Sequence, residues 1–253
     1  MANYKMIIQY DGTRYKGWQR QKTTDQTIQG KIEAILSRQY GRTIEIDGSG
    51  RTDAGVYAHG QVANFHLPDA CCAGKTPEEL CEELRQIFVQ YLPEDIAVTE
   101  VRAASERFHS RLNVVKKTYV YRIWNADYPN VFERKYMLHD NRPMDVEAMR
   151  QAAQYLLGKH DFAAFCGNAK MKKSTVRTIH EIDIRRIGEE IRFTYTGNGF
   201  LQNMIRILTG TLVDVGCGVY PPERVAEILA SKVRAEAGPT MPAQGLTLWE
   251  VIY

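Results

Sequence analysis

The chain has 253 residues, 44% of them hydrophobic and 25% charged, which is enough for one large core or two small ones and is unlike a disordered chain. The formal net charge of +3 favours an anionic partner only weakly, so an anion-binding surface must come from local clusters of lysine and arginine. No segment approaches a run of about 18 apolar residues, the minimum for a membrane span, and no apolar signal region opens the chain. We therefore expect a cytoplasmic protein without a membrane partner.

Hydrophobic periodicity in the first half of the chain predicts four strands and two helices. The strands are expected at residues 5–10, 42–47, 61–67 and 96–101, and the helices at 27–40 and 80–91. The second half predicts strands at 114–124, 176–187, 191–196 and 246–253, with helices at 146–156, 200–215 and 222–230. Gly188 marks the turn of a hairpin between the two middle strands of this half.

Each half therefore has roughly the element order strand–helix–strand, strand–helix–strand, which is the split βαβ, ferredoxin-like pattern used twice. The expected fold class is α+β, with a mixed, mainly antiparallel sheet. We expect an N-terminal domain at 1–105 and a C-terminal domain at 106–253, with a ligand-binding central cleft.

The most informative segment is residues 48–56, GSGRTDAGV, a glycine-rich loop between two predicted strands. Arg51 and Asp53 are two positions apart, and in an extended loop both side chains could face one cleft. A neighbouring guanidinium would keep the carboxylate ionised, which suits a nucleophile or a base. The alternative is an ordinary surface turn, since Asp and Thr are common turn residues.

Residues 50–56 resemble the signature loop of the TruA family of tRNA pseudouridine synthases, and further matches follow in order along nearly the whole chain. These are found at 10–12, 17–21, 27–30, 117–121, 160–162, 176–179, 199–206 and 245–248. The resemblance implies the pseudouridine synthase fold and the isomerisation of a flipped-out uridine, in this family usually around positions 38 to 40 of the tRNA anticodon stem-loop.

The resemblance also implies roles for single residues. Asp53 is the catalytic carboxylate, Arg51 helps to place the flipped nucleotide, and Tyr119 packs on the target base. Arg206 pairs with the catalytic carboxylate, and Leu246 lines the uracil pocket. Without the resemblance, Tyr119 and Leu246 are also consistent with core packing and Arg206 with a solvated helix position, although a charge among apolar neighbours needs a partner.

Three segments depart from the family pattern. Tyr57 stands where histidine is usual, residues 89–93 replace a common Asn-x-Leu-Leu-Pro, and Ser110 stands where alanine is usual. None of them includes the catalytic carboxylate. They lie on segments that could contact RNA, so they leave the exact target nucleotide open.

The expected partner is tRNA or another structured RNA, bound through lysines and arginines that contact the phosphate backbone. This set comprises Arg111, Lys116, Lys117, Lys170, Lys172 and Lys173, with Arg102, Arg107 and Arg177 as further contributors. The reaction transfers no group and changes no oxidation state, so no cofactor is implied. The histidines and cysteines show no metal-ligand spacing, so no metal is expected. The family implies a homodimer.

Three other functions are alternatives for this sequence. One is a paralogue that modifies ribosomal RNA, and another is a non-catalytic RNA-binding module. The third is a hydrolase that uses Cys166 with His160. The sequence also leaves open whether Asp53 attacks the sugar or removes a proton from it.

Overall fold

A computed structural model describes residues 1–168 and 170–253, and these residues form two compact units. The first unit comprises Met1–Val115 and Leu248–Tyr253, and the second comprises Lys116–Thr247. The expected domains at 1–105 and 106–253 differ from these units in the placement of residues 106–115 and 248–253, which the structure assigns to the first unit. Within the described ranges, no helix is long and apolar enough to cross a membrane.

The first unit has the element order of a split βαβ motif. Its elements are β1 (Ala2–Tyr10), α1 (Ile28–Tyr40), β2 (Ile46–Gly48), β3 (Tyr57–Leu67), α2 (Asp69–Cys72), α3 (Pro77–Tyr91) and β4 (Ile96–Ala104). Strand β1 lies between β3 and β4, and β2 pairs with β3, with every one of these pairings antiparallel.

Capping residues explain where the two long helices of this unit begin and end. The Thr27 side chain accepts a hydrogen bond from the Gly30 amide at the start of α1, and Gly41 ends this helix at a φ of 63°. Thr76 and Glu79 form a capping box at the start of α3, with Pro77 in the first turn. Apolar positions of both helices are buried, among them Ile32, Leu36, Leu84 and Phe88.

The second unit repeats this order with additional short elements. Its elements are β5 (Lys116–Trp124), β6 (Leu138–His139), α4 (Val146–Gln154), β7 (Gly158–Asp161), β8 (Val176–Ile187), β9 (Glu190–Gly197), α5 (Met204–Gly216), α6 (Arg224–Ser231) and β10 (Leu246–Ile252), the last of which continues into the first unit. Strands β5, β9, β8 and β7 are neighbours in that order and antiparallel, while β6 pairs with β5 in parallel. Helix α5 is buried along most of its length.

The structure confirms the α+β class and the mainly antiparallel pairing. The strand predicted at 42–47 is shortened to Ile46–Gly48, because the amides of Arg42 and Ile44 bond to Ser37 at the end of α1. The helix predicted from residue 200 starts only at Met204, because Asn203 adopts a left-handed conformation with a φ of 59°. The short strands β6 and β7 were not predicted.

Candidate active site

The predicted catalytic loop, residues 48–56, connects β2 to β3 in the first unit. Asp53 is half-buried, Thr52 is buried, and Arg51 is exposed. The Val56 amide donates to the Asp53 carbonyl oxygen at 3.2 Å, which closes a turn, and Gly55 within it has a φ of 77°. The loop therefore places Asp53 at the first position of a tight turn between two paired strands.

Thr52 fixes the centre of this loop to two neighbouring segments. Its hydroxyl lies 2.8 Å from the hydroxyl of Tyr10 at the end of β1, and its carbonyl oxygen accepts from the Trp18 amide at 3.1 Å. Burial raises the pKa of Tyr10 to about 12, against opposing hydrogen bonds from Thr52 and Gln61, so this phenol is protonated at neutral pH. Two hydrogen bonds of Thr52, one with Tyr10 and one from Trp18, therefore fix the residue that precedes Asp53.

Gln61 fixes the first part of the loop and is itself completely buried on β3. Its Nε2 donates to the Gly50 carbonyl oxygen at 3.0 Å, and its Oε1 accepts from the Ser49 hydroxyl at 2.6 Å. Because the residue on each side of Arg51 is tied to a buried group, the backbone of Arg51 has little freedom.

Three glycines allow the surrounding segments to approach this loop. A Cβ atom on Gly12 would lie 2.0 Å from the Val56 carbonyl oxygen, and one on Gly48 would lie 2.5 Å from the Trp18 ring. Gly17, with a φ of 97°, passes against the backbone of Thr52 and Asp53. These contacts give a structural reason for the Tyr-Asp-Gly and Gly-Trp sequences near the N-terminus.

The Arg51 side chain is oriented by the segment that precedes α1. Its Nε donates to Gln19 Oε1 at 3.0 Å. The roles expected for Arg51, holding Asp53 ionised and placing a nucleotide, stay predictions.

In the second unit, Tyr119 lies on β5 opposite Tyr195 of β9 and is 8% exposed. The Phe200 ring contacts it edge-on, with ring centroids 5.3 Å apart. The mostly buried ring is therefore fixed in orientation, as both a core aromatic and a stacking platform require.

Arg206 is half-buried in the first turn of α5, and both its guanidinium and its backbone carbonyl oxygen are hydrogen-bonded. Its Nε donates to the Met241 carbonyl oxygen, its Nη1 donates to Asn203 Oδ1 at 3.1 Å, and its own carbonyl oxygen accepts from the Met241 amide at 3.2 Å. Burial raises the pKa of Tyr121, and the nearby Arg206 charge opposes that rise. The Arg206 guanidinium is therefore held in a fixed position, and the role expected for it stays a prediction.

Leu246 is the first residue of β10 and is 5% exposed. The segment before it is packed closely on Tyr121, whose hydroxyl donates to the Pro242 carbonyl oxygen at 2.8 Å. A Cβ atom on Gly245 would lie 2.7 Å from the Tyr121 ring. The burial of Leu246 is consistent both with core packing and with a place in the uracil pocket.

The residues predicted to contact the RNA backbone fall in several places. Lys116 and Lys117 are half-buried at the start of β5, and Arg111 is exposed in the first unit. Lys170, Lys172 and Lys173 are exposed in the loop expected at 166–175, of which Ala169 lies outside the described residues.

Ser110, one of the departures from the family pattern, is fully buried, and its amide donates to Asn64 Oδ1 at 2.8 Å. Its hydroxyl donates to the Asp47 carbonyl oxygen, so this side chain takes part in packing within the first unit.

The structure gives no support to the hydrolase hypothesis. A ring nitrogen of His160 is 2.6 Å from the Leu157 carbonyl oxygen, and Cys166 Sγ contacts the Asn168 carbonyl oxygen and Met171. Across residues 1–168 and 170–253, no hydrogen bond joins Cys166 to His160. No group of three or more His, Cys, Asp or Glu side chains in these ranges could hold a metal ion.

Sequence analysis missed the buried polar residues that support the loop, namely Gln61, Gln29 and Glu33. The available signal was weak: each is a polar residue at a position where the strand or helix period requires burial. Within the first unit the structure joins Arg51 and Asp53 in one supported loop, while Tyr119, Arg206 and Leu246 belong to the second unit.

Comparison with known proteins identifies the family of this chain. The family model described as tRNA pseudouridine synthase matches residues 6–113 and 152–253, which include Asp53, Arg206 and Leu246, whereas Tyr119 falls between the two segments. The chain is 50% identical over 238 residues to tRNA pseudouridine synthase A of Bacillus sp. (strain KSM-64), covering 94% of each chain. It is 45% identical over 253 residues to tRNA pseudouridine synthase A 1 of Clostridium tetani (strain Massachusetts / E88), covering 100% of each.

A solved structure of a Cbf5-Nop10-Gar1 complex aligns over 83% of this chain and 45% of that chain, with a TM-score of 0.37 and 13% identity. The family model and the full-length relatives are decisive. The chain belongs to the tRNA pseudouridine synthase family.

Proposed function

We propose that this chain converts uridine to pseudouridine in tRNA, with Asp53 as the catalytic carboxylate. The observation that carries the proposal is the loop at 48–56, which holds Asp53 on a turn supported by buried hydrogen bonds and lies inside the segment matched by the family model. A carboxylate needs such support because catalytic groups must be positioned to within about 0.5 Å.

The reaction breaks the bond between N1 of the uracil and C1′ of the ribose. The base then turns, a bond forms between C5 and C1′, C5 loses its proton and N1 gains one. Asp53 acts on the sugar either as a nucleophile at C1′ or as a base. Atoms and electrons balance within the nucleotide, so the reaction needs neither a cofactor nor a second substrate.

The target base must leave its stack before it can react, which costs a few kcal/mol. We assign Tyr119 to stack on the extruded base, because stacking on an aromatic ring returns about 1–3 kcal/mol per base. Leu246 is assigned to the uracil pocket and Arg51 to placement of the nucleotide. Arg206 is assigned to pair with the catalytic carboxylate. These four roles rest on the family resemblance.

We further propose that the target lies in the anticodon stem-loop, around positions 38 to 40, and that the chain acts as a cytoplasmic homodimer. The family resemblance supports all three statements. The exposed lysines of the loop at 166–175 are of the type that grips an RNA backbone without reading its sequence.

The proposed function is tested with unmodified tRNA transcripts that carry tritium at C5 of uracil. Isomerisation releases this tritium to water, and the modified positions are then mapped in the product. We expect release from a transcript with uridines at 38 to 40 and none when these uridines are replaced by cytidines. Absence of release from every tRNA tested would contradict the proposal, and release from the cytidine transcript would move the target elsewhere.

A further inference from the structure

A hydrogen-bonded chain of two side-chain amides, Gln29 and Gln19, leads from α1 to Arg51. Gln29 on α1 is 8% exposed and uses its whole side-chain amide. Its Oε1 accepts from the Arg20 amide at 2.9 Å and from Gln19 Nε2 at 2.6 Å. Its Nε2 donates to Glu33 Oε1 at 2.9 Å and to the Ile46 carbonyl oxygen at 3.1 Å.

The partners of Gln29 allow only one orientation of its amide. The Ile46 carbonyl can only accept, and Glu33 Oε1 also accepts from the Ile46 amide at 3.0 Å, so both must face the Nε2 group. Turning the amide over would place its oxygen against two acceptors and its NH2 group against the Arg20 amide. The buried Glu33 carboxylate, 3% exposed and paired with Arg20 at 3.0 Å, fixes this polarity.

The fixed orientation of Gln29 determines that of Gln19. Because Gln29 presents its oxygen, Gln19 must present Nε2 to it, which leaves Gln19 Oε1 facing outward. This oxygen accepts from Arg51 Nε at 3.0 Å, and a guanidinium can only donate. The donors therefore run in one direction, from Arg51 through Gln19 and Gln29 to Glu33.

We propose that Gln19 and Gln29 are positioning residues that aim the Arg51 guanidinium at the target nucleotide. The proposal rests on the nucleotide-placing role of Arg51 given above. An exposed arginine otherwise samples many rotamers, and a bond at Nε fixes the side chain up to the guanidinium. In the described part of the chain, the Arg51 guanidinium makes no other hydrogen bond, so both Nη groups are available for a phosphate or a uracil oxygen.

The direct test replaces Gln19, which is half-buried in a loop, by methionine of similar length. Gln19→Met removes the acceptor for Arg51 without removing the arginine. We expect the single-turnover rate at saturating enzyme to fall about 10-fold, from the loss of one charge-assisted hydrogen bond, while the Kd for tRNA changes less than about 2-fold. Gln29→Met should act in the same direction, and the exposed Gln86→Met on α3 is the matched control.

A double-mutant cycle separates positioning from general destabilisation. If Gln19 acts only through Arg51, then Gln19→Met has no further effect on the rate in an Arg51→Ala background. Equal losses in both backgrounds would overturn the proposal, as would a wild-type rate for Gln19→Met. Failure of the proposed function is distinct, because the wild-type enzyme itself would then release no tritium. A wild-type rate for Arg51→Ala would show that Arg51 needs no positioning and would also overturn the inference.

Discussion

Replacing Gln61 by methionine tests whether buried hydrogen bonds support the catalytic loop. The change keeps the length of the side chain but leaves the Gly50 carbonyl oxygen without its donor at 3.0 Å and the Ser49 hydroxyl without its acceptor at 2.6 Å. A partly or fully buried carbonyl oxygen that loses its donor costs about 1–3 kcal/mol, so we expect the loss at Gly50 alone to lower the free energy of unfolding by about 1–3 kcal/mol. That is a large share of a typical stability of about 5–15 kcal/mol.

Urea denaturation monitored by circular dichroism measures this loss, and tritium release measures its effect on catalysis. Because Gly50 precedes Arg51, we expect the rate for folded Gln61→Met to fall more than its affinity for tRNA. The control Gln86→Met alters an exposed glutamine that bonds to Glu82 on the same helix and should stay within about 0.5 kcal/mol of the wild type. A Gln61→Met variant as stable as this control would refute the reasoning.

Three further predictions follow from the same contacts. Burial raises the pKa of Glu33 above 4.5 in the folded protein, so the stability that this residue contributes falls as the pH rises above 4.5 and passes the raised pKa. The difference in unfolding free energy between the wild type and Glu33→Gln should therefore decrease from about pH 4 to about pH 7, and a constant difference would contradict this. Gly12→Ala brings a Cβ atom within 2.0 Å of the Val56 carbonyl oxygen and should cost at least about 1–3 kcal/mol in thermal unfolding, whereas Gly199→Ala, whose Cβ comes no nearer than 3.8 Å to Arg177, should cost less. Replacing the three exposed lysines of the loop at 166–175 (Lys170, Lys172 and Lys173) by alanine should reduce the slope of log Kd for tRNA against log salt by about 2, and an unchanged slope would exclude phosphate contacts there.

The sequence predicted elements whose signal is local. The periodicity of α3 and the hairpin of β8 and β9 around Gly188 are each determined by neighbouring residues, and both were found close to their expected bounds. The glycine-rich loop was likewise placed between two strands. Strand β7 was missed because four residues with little apolar character pair with β8 only in the folded chain.

Support for the loop could not be predicted, because it joins residues that are distant in the chain. Gln61 bonds to Gly50, 11 positions earlier, and Thr52 bonds to Tyr10, 42 positions earlier. A single glutamine among apolar residues gives no sign of the partner that it will meet after folding. Family resemblance named Asp53 and Arg51, whereas the residues that position their backbone emerged from the structure.

The central claim is that Asp53 performs the chemistry. Asp53→Asn keeps the shape of the side chain and removes its charge, and Asp47→Asn, an exposed position on β2, is the matched control. With C5-tritiated tRNA under single-turnover conditions, we expect no detectable release by Asp53→Asn, while its Kd for tRNA and the rate of Asp47→Asn stay near those of the wild type. Tritium release by Asp53→Asn at the wild-type rate would contradict the account.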